Sequence, residues 1–174
     1  MAAPAFVERL NEQIGHEFSA HQQYIAIATY YDALTMPQMA ALFYQQAREE
    51  RDHAMMMVQY LLDADHTPRI PGLPAPRLDF EDVVEPVVAA LAQEKQVTEQ
   101  INDLTRIARE NHDYASDQFM QWFIKEQVEE LAKMSDLLAV VTRSKHDYER
   151  IEDWVAREDK GEQSDPTAPP IAGA

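Results

Sequence analysis

The stretch Met120-Gln-Trp-Phe-Ile-Lys-Glu-Gln-Val-Glu-Glu130-Leu-Ala-Lys-Met134-Ser-Asp-Leu-Leu-Ala-Val-Val141 decides the fold. Its residues Met120, Phe123, Gln127, Glu130, Met134, Leu137 and Val141 are spaced alternately by three and four, the interval that lines side chains along one stripe of an α-helix. Two positions in the middle of that stripe, Gln127 and Glu130, are polar where a core-facing seam calls for apolar groups. Working outward, three further segments of about 30 residues have the same habit, each about 45 Å long if helical. The four run approximately from Ala5 to Leu34, Pro37 to Asp65, Asp82 to Asn111 and Asp113 to Arg143. Strand-like alternation is absent from the sequence.

The breaks between segments set the topology. Thr35-Met36-Pro37 and Asn111-His112-Asp113 are short and polar or proline-marked, as tight helix–helix turns are. His66 to Phe80, by contrast, holds Pro68, Pro71, Pro74 and Pro76 and suits an extended strap along the bundle. The pattern therefore predicts an all-α four-helix bundle with a long crossover between helices two and three. A shorter amphipathic stretch, Asp147 to Glu158, carries Ile151, Trp154 and Val155 on one face and predicts a short fifth helix. Residues 1–158 are expected to form the domain, and 159–174, without periodicity, a disordered tail.

Composition narrows the function. The chain has 174 residues, with 15 Lys and Arg against 31 Asp and Glu, a formal charge of −16, and no cysteine. Thiolate catalysis, iron–sulfur clusters and zinc ribbons are thereby excluded, and a nucleic-acid partner is disfavoured for want of clustered basic residues. The longest apolar runs fall far below the ~18 residues of a membrane span, and the first residues lack a basic region before an apolar stretch. A cytoplasmic protein with cationic partners is the expectation.

The other three seams are interrupted in the same way as the last. In the first, Leu10, Ile14, Glu17, His21, Tyr24, Ala28 and Tyr31 step by four and three, which turns Glu17 inward. The second, Phe43, Ala47, Glu50, Ala54, Met57 and Leu61, holds Glu50 with His53 one turn on. In the third, Glu94 sits between Leu91 and Thr98. Unpaired buried carboxylates each cost several kcal/mol, so Glu17, Glu50, Glu94 and Glu130, with Gln127 and His53, imply cations among them. Four carboxylates and an imidazole suit two first-row divalent or trivalent metals with a bridging carboxylate and open positions.

These residues resemble the bacterial non-haem ferritins, a ferritin-like di-iron family, over nearly the whole chain from about Phe6 to Glu158. The similarity is carried by Asn11-Glu-Gln-Ile-Gly-His-Glu17 leading to Tyr24, by Glu49-Glu-Arg-Asp-His53, by Glu94, and by Gln121-Trp-Phe-Ile-Lys-Glu-Gln-Val-Glu-Glu130. The resemblance implies that Glu17, Glu50 and His53 hold a first iron and Glu50, Glu94 and Glu130 a second, with Glu50 bridging. It also implies that Gln127 faces the oxygen side, that Glu49, Glu126 and Glu129 form a third iron position, and that Tyr24 is hydrogen-bonded near the site. The implied activity is oxidation of Fe(II) by dioxygen or hydrogen peroxide, with ferric mineral stored in a hollow homo-oligomeric cage of 24 subunits. Haem is not expected, because position 51 is Arg where the haem-containing branch places Met.

Plainer readings apply to other residues. Trp122 is read as a packing aromatic, the Met55-Met56-Met57 run as irregular core filling, and His16, His66, His112 and His146 as surface residues. The alternative function is a di-iron peroxide reductase or oxygenase that stores no iron.

Overall fold

A computed structural model describes residues 2–158 and 165–174. Five helices follow in order: α1 (Pro4–Ala33), α2 (Pro37–Asp63), α3 (Glu85–Glu110), α4 (Tyr114–Arg143) and α5 (Tyr148–Glu158). No strand occurs among the described residues. Helices α1 and α2 pack as one close pair and α3 and α4 as another, α1 also meets α3, and α5 lies on α2. This is the all-α four-helix bundle with a short C-terminal helix that the four interrupted stripes predict.

The helix ends explain why the turns fall where they do. Proline occupies the first turn of α1, α2 and α3, where a missing N–H is harmless. Helices α1, α2 and α3 each stop at a residue with positive φ, namely Thr35 (59°), Asp65 (61°) and His112 (54°). In each case the next residue's N–H reaches back five residues: Met36 to Tyr31, His66 to Leu61 and Asp113 to Ala108. That is the Schellman closure, made here without glycine. Helices α4 and α5 have their own side-chain caps, Asp113 accepting from Ser116 N and Asp147 from Arg150 N. The uncapped start of α2 is satisfied by α5, because Glu152 accepts from Gln38 N and Met39 N at 2.7 and 2.9 Å.

The crossover runs the length of α1. Arg69 N donates to Asn11 Oδ1, Arg77 N to Gln23 Oε1, and Tyr31 Oη to the Val83 carbonyl. A strap that starts beside Asn11 and ends beside Tyr31 returns the chain to the end where α1 finishes. Helix α3 therefore runs parallel to α2, and α4 parallel to α1, as the bond from Ala3 N to Asp113 Oδ2 requires. Gly15 lies where the strap crosses: a Cβ there would come within 2.8 Å of Pro71 Cγ. Asp82 accepts from Val84 N and Glu85 N, so the helix begins at Glu85 and not at Asp82 as the apolar pattern suggested.

The tail departs from expectation. Residues 165–174 lie against the bundle, with Ala172 N donating to the Met55 carbonyl, Ala172 buried, and Ala168 and Ile171 packed on the core. Asp165 accepts from Trp122 Nε1 and Lys125 Nζ. Small and apolar residues carry this docking, and they leave no periodic signal. The preceding tail residues, 159–164, fall outside those described.

Two separate apolar clusters fill the bundle. One gathers Tyr24, Ile27, Tyr31, Phe43, Met134 and Val141 with α5's Ile151. The other gathers Phe6, Leu10, Ile14, Met57, Leu104 and Phe123. Between them, at mid-height, lies a layer of buried polar side chains.

Candidate metal centre

That layer consists of Gln13 and Glu17 from α1, Gln46, Glu50 and His53 from α2, Glu94 from α3, and Gln127 and Glu130 from α4, all buried. Each helix contributes at a seam position, so the four long helices converge there by their ordinary packing. Glu17, Glu50 and Glu94 are each 1% exposed. One ligand atom from each of Glu17, Glu50 and His53 lies within 4.8 Å of the others. His53 Nδ1 is 3.5 Å from Glu50 Oε2, and its ring packs edge-on against Trp122 and Phe123.

The layer is short of donors. Glu17 Oε2, both oxygens of Glu50 and Glu94 Oε2 are buried with no hydrogen-bond partner among the described residues. Burial pushes the Glu17 and Glu50 carboxyls well above their ordinary value, and neighbouring carboxyls push further: Glu50 on Glu17, and Glu94 on Glu50. Glu94 is raised by burial too, although its bond to Tyr24 pulls it back, as do the neighbouring His53 and Gln127. Glu130 is raised to about 7, mainly by burial, with Lys133 opposing. Such a set is stabilised either by taking up protons or by binding cations.

Tyr24, fully buried against Phe43, donates its hydroxyl to Glu94 Oε1. Burial and the adjacent carboxylates raise the phenol well above its ordinary range, which keeps it a donor. Gln127 is fixed from α3, its Oε1 2.8 Å from Thr98 Oγ1, which also lies 2.8 Å from the Glu94 carbonyl. Of the three residues at the flank, Glu49 and Glu126 are half-buried and Glu129 exposed. Glu49 and Glu129 both raise Glu126, after its burial, so the three carboxyls share one neighbourhood. The tightest grouping contains none of Glu94, Glu130 or these three.

Several contributors escaped the sequence reading. Gln13 Nε2 donates to Glu17 Oε1 at 2.9 Å and to Gln100 Oε1 at 3.1 Å. Gln46 Nε2 donates to both Glu49 Oε2 and Glu130 Oε2, at 2.7 and 2.9 Å. The available signal was an amide four residues before two of the inward carboxylates, Gln13 before Glu17 and Gln46 before Glu50. Lys133, one turn past Glu130, gave a weaker one. His21 Nδ1 meets the Ala47 carbonyl at 2.5 Å and ties α1 to α2. Arg51 is exposed and pairs with Asp52. His112 and His146 are exposed, whereas His16 and His66 are half-buried, because the first lies beside α3 and the second, at the start of the strap, beside the first turns of α1.

Residues 7–144 match the family described as Ferritin-like domain. The protein called Ferritin BfrB from Mycolicibacterium smegmatis is 49% identical over 164 residues, which cover 94% of this chain and 91% of that one. A bacterial non-heme ferritin from Staphylococcus aureus is 36% identical over 143 residues, covering 82% of this chain and 86% of its own. Among solved structures, the open pore ferritin of Archaeoglobus fulgidus superposes with a TM-score of 0.88 at 23% identity, covering 93% of this chain and all of that one.

Proposed function

Because this chain belongs to the ferritin-like domain family, we propose that it is a cytoplasmic iron-storage subunit. It oxidises Fe(II) inside its own bundle and deposits the ferric product within a hollow homo-oligomeric cage. The observation that carries this reading is the set of four buried carboxyl oxygens without partners, on Glu17, Glu50 and Glu94. Hard oxygen ligands with one imidazole suit iron in both oxidation states. No helix among the described residues is long and apolar enough to cross a membrane.

In this reading Glu17, Glu50 and His53 take one ferrous ion and Glu50, Glu94 and Glu130 the other, with Glu50 shared. Each iron gives one electron to a single dioxygen, which takes up two protons and departs as hydrogen peroxide. With peroxide as oxidant, the same two electrons and two protons yield two waters. Gln127 faces the oxidant side, and the Tyr24 hydroxyl holds Glu94 in place throughout. Glu49, Glu126 and Glu129 receive a third iron, on the way out to the mineral.

The test is aerobic addition of ferrous iron at hundreds of ions per chain, followed by size-exclusion chromatography with iron and protein detected together. A particle of several hundred kilodaltons carrying far more than three iron ions per chain is expected, and Glu50→Ala should slow its oxidation. Retention of only two or three ions per chain, or elution as a monomer or dimer, would transfer the case to a di-iron peroxide reductase or oxygenase.

A further inference from the structure

The carboxylates around the centre are neutralised unevenly, and one side chain accounts for the difference. Lys133 Nζ lies 3.7 Å from Glu49 Oε2 and 3.7 Å from Glu130 Oε1. Among the described residues, no other Lys or Arg makes an ion pair with Glu17, Glu49, Glu50, His53, Glu94, Glu126, Glu129 or Glu130. The same two carboxylates are joined from the bundle interior by the Gln46 amide. Glu49 and Glu130 are therefore bridged twice by groups of the chain itself, once by a buried neutral donor and once by a charge. Glu17 and Glu50 receive no such cation.

Lys133 is built to leave. Its side chain is 38% exposed, against 6% for that of Glu130, so bulk water lies within reach of a flexible four-carbon stem. Both contacts exceed the ~2.7–2.9 Å of a tight charge-assisted hydrogen bond, and an ammonium shared at that distance holds neither carboxylate rigidly. We propose that Lys133 is the internal counter-ion of the third cation position: its ammonium sits between Glu49, a member of that position, and Glu130, which borders it, and withdraws to solvent when a divalent cation binds at Glu49. The assignment rests on the di-iron reading above. It makes the flank position weak by construction, because each arriving cation displaces a resident positive charge. A weak flank site suits a cation in transit better than one at rest.

The experiment is a calorimetric and visible-absorption titration of Co(II) into the metal-free, full-length protein as it assembles. Wild type is compared with Lys133→Met, Lys133→Gln and Lys133→Arg. Both neutral variants should bind the third Co(II) on the order of tenfold more tightly, with the first step unchanged. Lys133→Arg should behave as wild type. An ammonium that merely props the carboxylates apart predicts the opposite sign, so a third step weakened or unmoved in both neutral variants overturns the inference while leaving a two-cation centre standing. Wild type that binds no Co(II) at the paired site removes the di-iron reading and this one together.

Discussion

The centre has two unlike sides. Glu17, Glu50 and His53 converge within 4.8 Å, and three of the four oxygens on the two carboxylates have no partner. Glu94 and Glu130 are instead held by the chain itself, Glu94 by Tyr24 and Glu130 by Gln46 and Lys133. Burial is similar on both sides, so burial does not distinguish them; supply of donors does. A carboxylate pair with a single donor, Gln13 on Glu17, gains most from a cation, because little else relieves its desolvation. A carboxylate with resident donors gives those up when it binds metal, and so it binds less tightly and releases more easily. In the proposed reading, the side poorer in donors is thus the one that captures, and the furnished side the one that passes iron on.

The largest expected effect tests this order directly. Hydrogen-bond partners of metal ligands are already worth about 10–100-fold in affinity, so loss of a ligand belongs at or above the top of that range. Glu17→Gln should weaken the first Co(II) step on the order of 100-fold, whereas Glu130→Gln should leave that step within about threefold and weaken the second. Equal effects of the two variants on the first step would erase the distinction between the sides.

A smaller effect lies in the pH dependence of the metal-free protein. Glu130 sits at about 7 in the folded chain against an ordinary 4.5, so between those values the folded state holds a proton that the unfolded state has lost. Stability contributed by the protonated form therefore declines as pH rises through that window. Glu17, Glu50 and Glu94 are shifted in the same direction. Thermal unfolding of metal-free protein should accordingly occur at higher temperature at pH 6 than at pH 8, by roughly 1–3 kcal/mol of stability. Co(II) should shrink or reverse the difference, since it favours the ionised carboxylates. Glu130→Gln should flatten the slope between pH 6 and 8. A metal-free protein more stable at pH 8 would mean that these carboxyls have donors the structure does not place.

The bundle and the inward carboxylates were legible because seam position follows from spacing alone: Glu17, Glu50, Glu94 and Glu130 sit where three- and four-residue steps put them. The strap was legible from proline crowding. The asymmetry between the sides was not. Gln46 and Lys133 come from different helices, and their meeting at Glu130 depends on the rotation and height at which α2 and α4 pack, which no single stripe reveals. Docking of residues 165–174 was hidden for a related reason, since Ala168, Ile171 and Ala172 bury too little surface to announce themselves in composition.

The finest distinction concerns Thr98, whose hydroxyl lies 2.8 Å from both the Glu94 carbonyl and Gln127 Oε1. A hydroxyl has one proton for two acceptors, so at each instant one of the contacts goes without it. Thr98→Val keeps the shape and removes the shared donor, leaving the Gln127 amide free to rotate. The cost in stability should be about 1 kcal/mol, the net worth of one such bond. If Gln127 only fills space, cation binding is unmoved. If its orientation helps hold Glu94 on the furnished side, the second Co(II) step should weaken several-fold, in keeping with a lost bond of about 1 kcal/mol, while the first step stays unchanged. A change in the first step instead would show that the two sides are coupled through α3, and that the division between capture and release does not fall between Glu50 and Glu94.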